Sequence, residues 1–90
     1  MSKKIYLKFD NHISELAGFD YGEEVYRKQA KDKDFDTIVF PDHIELIASS
    51  FTQGFFKDLL HQYGSDYILE NYKIESVHDF VIEKVRHDIY

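Results

Sequence analysis

Asp36-Thr37-Ile38-Val39-Phe40-Pro41-Asp42, followed shortly by Ala48-Ser49-Ser50-Phe51-Thr52-Gln53-Gly54-Phe55-Phe56-Lys57-Asp58-Leu59-Leu60-His61-Gln62-Tyr63-Gly64, decides the fold class. Residues 36–40 are a nearly continuous run of β-formers that ends at a proline, which cannot donate to a ladder. They predict a central strand covered on both faces. In the second stretch Phe51, Phe55, Phe56, Leu59, Leu60 and Tyr63 fall within about half of a helical wheel, and Gln53, Lys57, Asp58 and His61 fall on the other half. A helix running from the Ala48-Ser49-Ser50 junction to Tyr63 follows, stopped by Gly64 as a C′ residue. Gly54 lies on or near the less apolar face, where it permits close packing. Ile44 to Ile47 reads as a short extended stretch leading into the helix.

Upstream, Lys3 to Phe9 alternates Ile5, Leu7 and Phe9 against Lys4, Tyr6 and Lys8, the period of a half-buried strand. Asp10-Asn11-His12 has turn chemistry, and residues 13–19 carry no clear period. Asp20 can cap a helix from Tyr21 to about Lys31, with Glu23 and Glu24 early and Arg27, Lys28 and Lys31 late, an order that suits the helix dipole. With few apolar members (Tyr21, Val25, Ala30), that helix is expected to lie on the domain through a thin stripe. Lys31-Asp32-Lys33-Asp34 reads as a solvated linker.

Downstream, residues 65–71 suggest a helical turn, and Tyr72 to Glu75 a strand. Ser76 with Asp79 resembles a capping box before a helix from Val77 to about Ile89, with Val77, Phe80, Val81, Val85 and Ile89 on one face. The order β-α-β-α-β-α predicts an α/β domain over residues 1–90, with a short sheet of three or four strands packed with helices. Its expected core is Ile5, Leu7, Ile38, Phe40, Phe55, Leu59, Val81 and Val85. A sheet this small leaves an edge, or a face, for a partner to cover.

Composition narrows the function. Ninety residues suit a single domain with a net stability of about 5–10 kcal/mol. Zero cysteines exclude disulfides, thiolate nucleophiles and Cys-based metal sites. A net charge of −6 argues against nucleic acid as a partner, since phosphate binding needs a basic face. No apolar run approaches a membrane span, and Met-Ser-Lys-Lys leads into no signal core, so a cytoplasmic location is expected. Eight phenylalanines and seven tyrosines are many rings for so small a monomer to hide, which argues for a symmetric homodimer or a patch that a protein partner covers.

The five histidines do not converge by spacing. His78 and His87 are nine apart, roughly half a turn out of phase, and the pairs Asp42-His43, His78-Asp79 and His87-Asp88 diverge for the same reason. Neither a metal nor any other cofactor is expected. Ser49 and Ser50 stand where a nucleophile elbow would, at a strand-to-helix junction, but Phe51 follows where a small residue is required, and helix capping is the simpler role. Glu23-Glu24 lies on an open helix. No catalytic set emerges, and the chain is read as a non-enzymatic protein.

The stretch Ile38 to Asp42 with Ile47-Ala48-Ser49-Ser50-Phe51-Thr52-Gln53-Gly54-Phe55-Phe56, together with Ile5 to Phe9 and Leu16-Ala17-Gly18, resembles the STAS-like domain family of unknown function. These are small bacterial proteins similar to the sulfate-transporter and anti-sigma-factor-antagonist domain. The resemblance covers most of the chain. True STAS domains work by partner switching: a strand ends in Asp-Ser-Ser-Gly, and one serine at the helix start is phosphorylated by a kinase partner. By position Ser49 matches that serine, while Ala48 and Phe51 stand in the Asp and Gly positions. The resemblance therefore implies an interaction surface more than a phosphosite. It implies a regulatory module that binds a kinase- or ATPase-type protein through Ser49, Ser50, Phe51, Thr52, Gln53 and Phe56. The alternative is a small acidic inhibitory or accessory protein that docks on a basic partner through distributed carboxylates.

Overall fold

The alternation at the start of the chain becomes β1 (Lys4–Tyr6) in the computed structural model, which describes residues 3–90. There follow β2 (Glu15–Leu16), α1 (Phe19–Gln29), β3 (Thr37–Val39), β4 (Leu46–Ile47), α2 (Ser49–Tyr63), α3 (Ser65–Asn71), β5 (Lys73–Glu75) and α4 (Asp79–Ile89). The domain is mixed α/β, with four helices and small parallel ladders. β1, β3 and β5 form a three-stranded sheet with β3 in the middle, in a register that aligns Ile5, Ile38 and Ile74 on the core face. β2 and β4 form a second, two-stranded parallel ladder, Glu15 against Leu46 and Leu16 against Ile47. A single sheet is thus replaced by two ladders, because the segments before α1 and α2 pair with each other and not with the main sheet.

β3 is central, fully buried at Ile38 on the core face and at Thr37 on the outer face, with Val39 half-buried. Its neighbours on the outer face are Lys4 and Lys73 beside Thr37, and Tyr6 and Glu75 beside Val39. Tyr6 is 62% exposed, and Lys4 reaches Glu75 in a 3.0 Å ion pair across this face. The buried Thr37 hydroxyl is satisfied by donation to Asp36 Oδ1 at 2.8 Å.

All eight expected core residues are buried, together with Leu16, Ile44, Phe51, Phe56 and Ile68. Phe51 stacks on Phe55 with centroids 6.1 Å apart, Phe55 meets Phe56 edge-on at 5.0 Å, and Tyr26 of α1 stands perpendicular to Phe55 at 5.5 Å. Offset and edge-on ring pairs of this kind add to simple area burial. α1 therefore packs far more closely than its few apolar residues indicated, and its closest partner is α2. Gly54 faces this contact, not the open side.

Helix boundaries follow backbone geometry where side-chain caps were expected. α1 starts two residues early, with Gly18 (φ +106°) in the cap position and Asp20 inside the first turn. It ends at Gln29, where the Ala30 and Lys31 N–H groups both donate to Tyr26 O, and Asp32 turns the linker at φ +65°. α2 ends at Tyr63 as expected, with Gly64 at φ +87°, and begins at Ser49. α4 begins at Asp79, because Ser76 Oγ accepts the His78 N–H at 3.0 Å and holds Val77 in a turn. Val77 and Phe80 are 65% and 51% exposed, so only Val81, Val85 and Ile89 of that face reach the core.

Candidate functional site

The junction between β4 and α2 carries the two serines. Ala48, not a serine, occupies the cap position in extended conformation, and no side chain caps the helix. The serine hydroxyls are occupied elsewhere. Ser50 Oγ accepts the Gly18 N–H at 2.9 Å, which ties the start of α2 to the start of α1. Ser49 Oγ donates to Asp88 Oδ1 at 2.9 Å and accepts from Lys84 Nζ at 2.7 Å. Lys84 Nζ in turn donates to Asp88 Oδ2 at 2.6 Å.

α4 positions this pair: Lys84 and Asp88 are four residues apart, hence on one side of the helix. The Asp88 side chain is 6% exposed and that of Lys84 28%. Burial pushes the Asp88 carboxyl up, but the bonds from Lys84 and Ser49 outweigh it and hold the group below the ordinary carboxylate value. Charge-assisted bonds to a carboxylate are among the stronger polar contacts in proteins. Ser49, Lys84 and Asp88 therefore form a closed polar clasp between the start of α2 and the last turns of α4.

The other candidate residues divide by burial. Phe51, Thr52 and Phe56 are 1–2% exposed, so they build the support for the junction and offer it no surface. Gln53 is exposed; Ser49 and Ser50 are half-buried. The Thr52 hydroxyl is buried without a hydrogen-bond partner. Lys84 and Asp88 were missed by sequence reasoning. Their four-residue spacing signals a helix-surface ion pair, but nothing local to α4 says that a serine thirty-five residues upstream completes it.

Two of the five histidines clip loops together. The His43 ring bonds Ile13 O at 2.7 Å through Nδ1, and the His78 ring bonds Asp42 O at 2.7 Å through Nε2. Among the described residues no three His, Asp or Glu side chains converge on a metal-sized site. Nor is any helix among them long and apolar enough to cross a membrane.

Comparison with family models, with curated proteins and with solved structures finds no match to this chain.

In acyl transfer a serine needs a base and open space before its hydroxyl, flanked by donors for an oxyanion. Here the Ser49 proton points at a carboxylate already held by an ammonium group. Grooves of about 450, 360 and 310 Å³ lie on the surface, and neither serine lines any of them. What the clasp can do is exchange partners: an anion placed on Ser49 would lose the bond to Asp88 and compete with it for Lys84.

Proposed function

We propose that this chain is a non-enzymatic protein-interaction module of STAS-like architecture, working in the cytoplasm on a kinase- or ATPase-type regulatory protein in the partner-switching manner. Its contact is the polar start of α2, presented by Ser49, Ser50 and Gln53 and framed by Lys84. The observation that carries this reading is the clasp. A half-exposed serine hydroxyl at a helix start is held between a nearly buried carboxylate and an ammonium group, so any change at Ser49 is transmitted to α4. Phe51 and Phe56 hold the junction from inside while Gln53 faces outward.

The experiment is affinity capture from the native host with the wild-type chain, a Gln53→Arg variant and a Ser49→Asp variant. Gln53 is exposed, so its replacement leaves the fold intact. A protein retained by the wild type and lost by both variants supports the contact. A partner retained equally by all three places the interaction elsewhere and overturns it.

A further inference from the structure

Lysines concentrate on one edge of this acidic chain, and the edge is an unfinished sheet. In a parallel ladder, alternate residues of a strand turn both N–H and C=O to the same neighbour. Lys3 O accepts from Thr37 N, and Leu7 N donates to Val39 O, so Lys3, Ile5 and Leu7 face β3. Lys4, Tyr6 and Lys8 consequently face the free edge. At Lys8 the edge is already paired by a side chain: the Gln29 carboxamide accepts the Lys8 N–H at 2.7 Å and donates to Lys8 O at 2.8 Å, as a strand residue would. The edge groups of Lys4 and Tyr6 have no partner among the described residues.

This edge forms one wall of the 450 Å³ groove, which Lys4, Lys8, Lys28 and Lys33 line against a single carboxylate, Asp34. Lys8 and Lys33 make no ion pair among the described residues, and half-buried Phe35 supplies an apolar surface. A second copy is a poor occupant, since two β1 edges laid together oppose lysine to lysine. We propose that the β1 edge docks an extended, acidic segment of a partner protein, which adds a short strand beside Lys4–Tyr6 and places its carboxylates on Lys8 and Lys33. This surface is separate from the start of α2 and does not depend on the function proposed there.

The test is titration of the full chain with a short blocked peptide of alternating Val and Glu, followed by amide NMR and calorimetry. Two controls are the peptide with Lys for Glu, and the Glu peptide N-methylated on its pairing edge. Expected results are exchange protection of the Lys4 and Tyr6 amides, binding of the Glu peptide alone, and loss of binding on N-methylation. The double variant Lys8→Glu, Lys33→Glu changes exposed residues only and should weaken binding about tenfold or more. Equal binding of the two charge forms, insensitivity to N-methylation, or no change at the Lys4 and Tyr6 amides would overturn the proposal and leave the lysines as guards of an edge strand.

Discussion

Gly22 of α1 and Gly54 of α2 are notches through which the two helix backbones touch. A methyl group on Gly54 would lie 2.0 Å from the carbonyl oxygen of Phe19, and one on Gly22 would lie 2.3 Å from that of Phe51. Both obstacles are backbone atoms of the opposing helix, so a swing of one side chain cannot relieve them. The ring contacts of Tyr21 with Phe51 and of Tyr26 with Phe55 depend on this approach.

Gly22→Ala and Gly54→Ala should therefore each destabilise the fold, although alanine is the better helix former by about 1 kcal/mol. Overpacking costs about 1–3 kcal/mol and more where backbones must separate, so we expect a net loss of about 2 kcal/mol. Urea denaturation measures it. A gain in stability for either variant would show that the helices part freely.

Phe55 is 1% exposed and touches rings from α1 and both sides of α2. Phe55→Ala should cost about 3–5 kcal/mol, a large part of what so small a domain has. The melting temperature should fall by tens of degrees or the variant should fail to fold. An unchanged melting temperature would mean that the ring is not part of the core.

How legible was this in the sequence? The course and end of α2 and the eight core positions were readable because each rests on a periodic pattern whose face becomes the core. β2 was invisible, since a two-residue ladder has no period; Leu16 is buried by pairing that β4 supplies from thirty residues away. The extent of α1–α2 packing was hidden for a related reason. Glycines subtract from an apolar stripe, yet Gly22 and Gly54 draw the backbones together. At the candidate site, Ser49 and Ser50 do open α2, but Ala48 stands in the cap position expected of them, and their bonds run to Gly18, Lys84 and Asp88, which only the tertiary fold brings near. Val77 and Phe80 show the opposite error: Val77 precedes the first residue of α4, and Phe80, although inside it, stands at the margin of the row that Val81, Val85 and Ile89 bury.

Thr52 offers a stabilising change. Its hydroxyl is buried and unpartnered, so the folded state bears the loss of a water bond without a replacement. Thr52→Val keeps the shape and removes that polar atom. We expect a gain of about 0.5–1 kcal/mol, read as a higher denaturation midpoint with an unchanged slope. A loss of stability would show that the hydroxyl has a partner in solution.

The clasp should make stability depend on acid in a defined window. Burial opposes ionisation of Asp88, but the Lys84 and Ser49 bonds prevail, and its carboxyl in the folded chain sits below the ordinary value. A carboxyl depressed in this way binds its proton more readily in the unfolded chain. Its contribution is therefore complete above the unfolded value of about 3.9 and is lost as pH falls through the lower folded value. Asp88→Asn should cost about 1–3 kcal/mol at neutral pH, since it removes a charge-assisted bond from Lys84 and the acceptor of the Ser49 hydroxyl. The gap between wild type and variant should stay constant from neutral pH down to about 5 and narrow below about 4. Ser49→Ala should show a smaller loss of about 1 kcal/mol and a weaker narrowing, because Lys84 still holds the carboxylate. Urea midpoints for the three proteins across that range measure both effects. A gap that widens on acidification, or an Asp88→Asn variant as stable as wild type at neutral pH, would show that the clasp does not join α2 to α4.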